Sequence, residues 1–147
     1  DVIDVPGATG YLDTNYLGKA EAALEALKTR DFVYLHVEAP DEAGHSGSLT
    51  DKIEAIERFD EDVVGTVMNG LDALGEYRVL LLPDHPTPVV KMTHTKDPVP
   101  FVLASSGGEF VAEDAALEYS EAAAQKSGLV VAPGHQMMEA LVHGRLP

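Results

Sequence analysis

Apolar residues fall along this chain in two patterns, a helical spacing and short continuous runs. In "DTNYLGKAEAALEALKTR", Ala20, Leu24, Leu27 and their alanine neighbours recur at helical spacing, with Asp13, Thr14 or Asn15 in place to cap the start. The spacing predicts a helix over about 15–28. The next run, "DFVYLHVEA" at 31–39, is apolar on both faces, which predicts a central strand of four to seven residues covered by helices. "PDEAGHSGS" follows and is too broken by proline and glycine to be regular, so it reads as a loop. Beyond it, Ile53, Ile56, Phe59, Val63, Val67 and Leu71 form an i, i+3/i+4 stripe, with Thr50 as a cap and Asp51 and Glu54 at the positive end of the dipole. This predicts the longest helix, about 51–74, weakened only locally by Gly65. Further buried strands are expected at 78–82 and 99–105, and a short helix at about 133–141 closes the chain. The order α–β–α–β–β–α implies an α/β fold, a layered and mostly parallel sheet flanked by helices.

Composition narrows the function. The chain has 147 residues, the size of one domain that buries about two-thirds of its unfolded surface. Its longest apolar runs fall far short of the roughly 18 residues of a membrane span. With no cysteine, disulfides and thiolate metal sites are excluded, and a reducing compartment is compatible. The formal charge is −15, from 25 acidic and 10 basic residues, which argues against a nucleic-acid partner, since phosphate neutralisation needs clustered Lys and Arg. A small anionic substrate is still allowed, because screening over about 8–10 Å lets a local cation act on its own. The first residues, "DVIDVPG", carry no initiator methionine or signal peptide, and the chain is expected to be part of something longer.

Candidate chemistry lies with the histidines, six in all. His45 shares a segment with Asp41, a few residues after the first expected strand. His85 directly follows Asp84, at the end of "RVLLLP". Ligands of open α/β sheets bind at the carboxyl ends of strands, so two Asp/His pairs delivered there converge, and His94 can turn back to the same rim. Imidazole and carboxylate suit Zn or Mn, and two ions about 3.5–4 Å apart are the usual arrangement for phosphoryl transfer. Each pair alone is commonplace in solvated loops; together they point to a metal centre.

The remaining candidates have plainer readings. His36 sits in an expected buried strand as a core or supporting residue, His143 suits a helix C-terminus, and His135 stays ambiguous. Ser46, Ser48, Ser105 and Ser106 lack a strand–turn–helix nucleophile setting and read as turn or cap residues. "SSGG" is too short to be a phosphate-binding loop. Glu38 and Glu42 are either supporting groups or solvated surface.

"HVEAPDEAGHSG", "DHPTP", "HTKDPVPF" and "VPGATGYLDTNY" together resemble the C-terminal half of cofactor-independent phosphoglycerate mutases of the archaeal type, within the alkaline phosphatase superfamily. The resemblance implies an alkaline-phosphatase-like fold and a cytoplasmic enzyme with two divalent metal ions, Mn, Mg or Zn. In it a serine takes the phosphoryl group of phosphoglycerate and returns it to the other hydroxyl. Carried over by motif, Asp41, His45 and His94 hold the first metal, and Asp84 and His85 supply half of the second site. The aspartate and nucleophilic serine that complete the second site lie near the N-terminus of the family's full polypeptide, and nothing here matches them. The substrate-binding insert domain with its arginines is likewise unmatched; Arg30, Arg58, Arg78 and Arg145 are the arginines present, none beside the implied ligands. Residues 1–147 are therefore expected to be the C-terminal part of the metal-binding domain. That part has no catalytic residue of its own, is inactive alone, and depends on the missing N-terminal part of the same polypeptide. A phosphatase, phosphonate hydrolase or other phosphoryl transferase with the same metals, or a non-catalytic domain that kept the fold, are the alternatives.

Overall fold

A computed structural model describes residues 1–110 and 118–146. The chain divides into two compact units, the first built from 1–75 and 86–96, the second from 76–85 and the residues from 97 onward.

In the first unit, α1 (Tyr16–Leu27) is capped by Asn15, whose Oδ1 accepts from the Gly18 N–H at 2.9 Å. The Asn15 amide also donates to the Pro6 carbonyl at 2.9 Å, tying the preceding turn to the helix start. Tyr16, Ala20 and Ala23, spaced i, i+4, i+7, are the buried face. Tyr16 and Ala20 join Ala39, Ala55 and Val63 in a core against which Leu12, Leu35, Val37, Phe59 and Val67 pack. The Arg58 guanidinium lies 4.5 Å over the Tyr16 ring and donates to the Leu12 carbonyl at 3.0 Å, covering this core with a cation–π contact.

Residues 40–46, expected as part of a loop, lie in the helix α2 (Ala39–Ser46). Proline falls in its first turn, where the missing N–H costs nothing, and Gly47 ends it in the left-handed conformation at φ 75°. The two residue types that looked like breakers mark the two ends of a short helix.

The helix α3 (Leu49–Arg58) begins two residues before the expected boundary, and its cap is Ser48, which accepts from the Asp51 N–H at 3.2 Å, rather than Thr50. It runs into a π-helical stretch, Phe59–Gly65, and then α4 (Thr66–Leu71). A π turn holds more residues than an α turn, so positions that keep helical spacing across it no longer share one face. The expected stripe is accordingly split. Val63 and Leu71 are buried, whereas Ile53 and Ile56 are 47% and 49% exposed, and Leu49 extends that open apolar face.

The strand expected at 31–39 is not present as one: residues 32–38 have no ladder partner among the described residues. Their burial alternates, Val33, Leu35 and Val37 partly covered, Phe32, Tyr34, His36 and Glu38 exposed. One face packs on the core and the other is open, with Tyr34 at 74% exposure. His36 is thus not a core residue; it stacks on Tyr34 with ring centroids 6.0 Å apart.

In the second unit, β1 (Arg78–Leu81) pairs antiparallel with β2 (Val102–Ser105), Arg78 opposite Ser105 and Leu81 opposite Val102. This is the one ladder among the described residues, so the layered, mostly parallel sheet expected from sequence is not what they form. A short apolar run reads alike in either direction, and only its partner sets the sense of pairing. α5 (Glu121–Ser127) starts at Ser120 and ends at left-handed Gly128. α6 (Gln136–His143) lies close to its expected span. Arg78 donates to the Val142 carbonyl at 2.9 Å and pairs with Glu109 at 3.0 Å, fastening the end of α6 to β1. No helix among the described residues is long and apolar enough to cross a membrane.

Candidate metal centre

Because 39–46 is helical, Asp41 and His45 stand one turn apart on the same face of α2. The third side chain arrives on residues 86–96. This segment turns back on itself through the Thr95 N–H donating to the Pro86 carbonyl at 3.0 Å, and through the Lys91 and Met92 N–H groups donating to the Pro88 carbonyl. It lies directly against α2 at Gly44, where an added Cβ would come within 2.5 Å of the Thr87 carbonyl oxygen. Glycine is what lets the two backbones approach, and the approach carries His94 over the helix.

His45 Nε2 lies 3.0 Å from His94 Nε2, and the Asp41 carboxylate straddles the two rings. Its Oδ2 is 3.3 Å from His45 Nε2 and its Oδ1 3.4 Å from His94 Nε2. One donor atom from each residue falls within 4.8 Å of the other two, the one such cluster of three among the described residues. Donors held at about 2.0–2.1 Å around a tetrahedral ion stand about 3.3–3.4 Å from each other, and the observed separations, 3.0 Å between the imidazoles and 3.3 and 3.4 Å to the two different Asp41 oxygens, are close to those of ligands around a divalent cation. Two imidazoles and a carboxylate are also the right chemistry for one. Asp41 and His45 are partly buried and His94 is exposed, so a further ligand can reach the site from solvent.

The charge around the triad has a source that the sequence reading overlooked. Lys52, on α3, donates from Nζ to the Thr87 carbonyl at 3.2 Å. Burial pulls its pKa below the usual lysine value, and the Asp41 carboxylate acts in the opposite direction. Its only sequence signal is its place one residue before Ile53 on the helix that follows the Asp41 segment. Two other contributors went unnoticed. The Thr87 hydroxyl donates to Asp41 Oδ1, and the Met92 carbonyl lies 3.1 Å from His45 Nδ1.

Asp84 and His85 lie in the second unit and face each other: the His85 N–H donates to Asp84 Oδ1 at 3.0 Å, and His85 Nε2 is 3.2 Å from Asp84 Oδ2. The four serines are engaged as turn and cap residues. Ser46 Oγ donates to the Ala43 carbonyl, Ser48 caps α3, Ser105 Oγ accepts from the Glu109 N–H, and Ser106 Oγ accepts from the Tyr77 N–H. His135 is exposed at the start of α6 without capping it, and His143 pairs with Glu139 one turn earlier. Arg30 pairs with Asp1, Arg58 with Asp62 and Arg78 with Glu109.

A family model described as the Metalloenzyme superfamily matches residues 1–142. A probable 2,3-bisphosphoglycerate-independent phosphoglycerate mutase of Geobacter sulfurreducens is 56% identical over 142 residues, which cover 97% of this chain and 35% of the relative. A 2,3-bisphosphoglycerate-independent phosphoglycerate mutase of Methanothrix thermoacetophila is 55% identical over 144 residues, covering 97% of this chain and 36% of that protein. Among solved structures, the PH0037 protein from Pyrococcus horikoshii superposes with a TM-score of 0.86 at 36% identity, over 97% of this chain and 42% of its own. The chain spans about a third of the length of the curated relatives it matches.

Proposed function

The chain belongs to the metalloenzyme superfamily, and from that premise we propose that it is the C-terminal metal-holding part of a cofactor-independent phosphoglycerate mutase. The observation that carries the reading is the cluster of Asp41, His45 and His94, closed from two separate segments to separations close to those of metal ligands. The relatives named as mutases support the substrate class, phosphoglycerate.

In this reading Asp41, His45 and His94 hold one divalent ion, while Asp84 and His85 contribute to a second whose remaining ligands lie elsewhere in the polypeptide. Metal bound there supplies positive charge for a phosphoryl oxygen and for the oxygen that attacks it. The mixed imidazole and carboxylate donors favour Mn or Zn over Mg. The residues of this chain bind and orient. Asp41 accepts hydrogen bonds and carries negative charge, and the two imidazoles turn Nε2 toward the same point. Lys52 adds a cation beside Asp41, so the site is less acidic than the whole chain. The serine that accepts the phosphoryl group belongs to the N-terminal part, as does the arginine-bearing domain that grips the substrate, and the working enzyme is a cytoplasmic isomerase.

The same reading treats 1–147 as an incomplete part of a layered, mostly parallel sheet domain. Two features support it: the open face of 32–38, with Phe32 and Tyr34 exposed, and the apolar face of Leu49, Ile53 and Ile56 on α3. Apolar surface of this kind is normally covered in a finished domain.

The test uses the full-length protein with 3-phosphoglycerate labelled in its phosphate. The label should appear in 2-phosphoglycerate, His94→Ala should abolish the transfer, and residues 1–147 alone should be inactive. Release of the label to water would make the protein a phosphatase, and turnover by residues 1–147 alone would overturn the proposed division of labour.

A further inference from the structure

We propose that residues 86–96 do more than deliver His94: the Thr87 hydroxyl and the Met92 carbonyl orient the two ligands that α2 supplies, making Thr87 a positioning residue for metal affinity. The inference rests on the metal-binding reading of the triad.

Thr87 is 4% exposed, one of the two buried polar residues among the described residues. Its hydroxyl donates to Asp41 Oδ1, since an ionised carboxylate can only accept. A carboxylate turns easily about its last side-chain bond. Holding Oδ1 fixes that rotation and leaves Oδ2 directed at His45 Nε2, 3.3 Å away. Thr87 is itself held on two sides. Gly44 of α2 leaves room for its carbonyl and methyl group, which an added Cβ would meet at 2.5 and 2.9 Å, and Lys52 Nζ donates to the same carbonyl at 3.2 Å.

The Met92 carbonyl does for His45 what Thr87 does for Asp41. A carbonyl only accepts, so the 3.1 Å contact places a proton on His45 Nδ1. The neutral ring then turns its Nε2 lone pair toward Asp41 and His94. Met92 adopts φ 53°, the one positive φ among the described non-glycine residues. Side-chain-bearing residues keep such a conformation only where their surroundings over-determine it. Here the Met92 side chain packs over Gly47, its Sδ 3.3 Å from where a Cβ would stand on the glycine that ends α2. The same segment thus contacts α2 at Gly44 and Gly47 and addresses both of its ligands.

The experiment is Mn²⁺ titration of the full-length protein by calorimetry. Thr87→Val keeps the shape and removes the hydroxyl, and should weaken Mn²⁺ binding about 10- to 100-fold, as loss of an outer partner of a metal ligand does. Thr87→Ser keeps the hydroxyl and should restore binding close to wild type. Wild-type affinity in Thr87→Val, or failure of Thr87→Ser to restore it, overturns the proposal. Nitrogen-15 NMR of the Zn²⁺-loaded wild-type protein gives a check independent of any variant: His45 should carry its proton on Nδ1, and a proton on Nε2 refutes the role of Met92. Asp41→Ala separates this inference from the reading beneath it. If that variant binds Mn²⁺ in wild-type stoichiometry, the triad is not a metal site; if it loses an ion while Thr87→Val does not weaken binding, only the positioning role falls.

Discussion

Asp41 Oδ2 stands 3.3 Å from His45 Nε2, one turn apart on a helix of eight residues. A regular helix makes that spacing rigid, whereas a loop would leave the two groups to find each other. The third donor, His94, closes the triangle from a segment 49 residues further along the chain.

Replacing any one of the three by alanine removes a donor from a site that has few to spare. Asp41→Ala, His45→Ala and His94→Ala in the full-length protein should each lower bound metal by about one ion per chain, measured by elemental analysis after dialysis. Unchanged metal content in all three would place the metal elsewhere.

Gly44→Ala discriminates between local propensity and tertiary packing. Alanine in a helix interior is favoured over glycine by about 1 kcal/mol, so propensity alone expects a stabler protein. At position 44 the new Cβ would sit 2.5 Å from the Thr87 carbonyl oxygen, and overpacking of this kind costs about 1–3 kcal/mol. Urea denaturation should show Gly44→Ala destabilised. Gly65→Ala is the control, because its Cβ would meet nothing closer than 3.5 Å, and it should be neutral or stabilised. Equal stabilisation of both variants would show that residues 86–96 do not lie against α2 as described.

Tyr119 provides an alkaline signature for the second unit. Its hydroxyl donates to the Pro100 carbonyl at 3.0 Å, and burial first, then Glu121, push its pKa up to about 12 from the ordinary 10.0. The fold therefore favours the neutral phenol. That contribution is complete below pH 10.0 and is lost as the pH rises towards about 12. Tyr119 is 45% exposed, so solvent screening keeps the effect modest. Tyr119→Phe should flatten the fall in urea midpoint across that interval. An equally steep fall in wild type and variant would remove Tyr119 as its source.

Much of the local structure was legible without coordinates. Asn15 was one of three expected caps for α1, and Ala20 lies on the buried face that its spacing predicts. α6 falls close to its expected span. Such features depend on neighbours within one turn, and one turn is what sequence periodicity reports. The residue types of the candidate site were equally legible, since imidazole and carboxylate declare their chemistry wherever they sit.

Other features depended on groups remote in sequence. "PDEAGHSGS" contains residues that end helices and residues that begin them, and the packing of Ala39, Ala43 and Gly44 decided that 39–46 is a helix. The stripe from Ile53 to Leu71 was broken by a π turn that spacing cannot reveal. Residues 32–38 are apolar enough for a central strand, yet a strand exists only with a partner, and among the described residues they have none.

By itself, then, the sequence determined what this protein has to work with: helix-forming segments, an acidic surface without cysteine, and Asp and His residues suited to a divalent ion. Tertiary structure alone decided which of them meet. Met92 and Lys52 lie in no motif, and Thr87 stands in "DHPTP" with nothing there to mark its role, because a hydroxyl, a carbonyl and an ammonium become part of a site only when folding carries them against Asp41 and His45. Hydrogen bonds act over about 3 Å, and the 46 residues that separate Asp41 from Thr87 are brought within that reach by the fold.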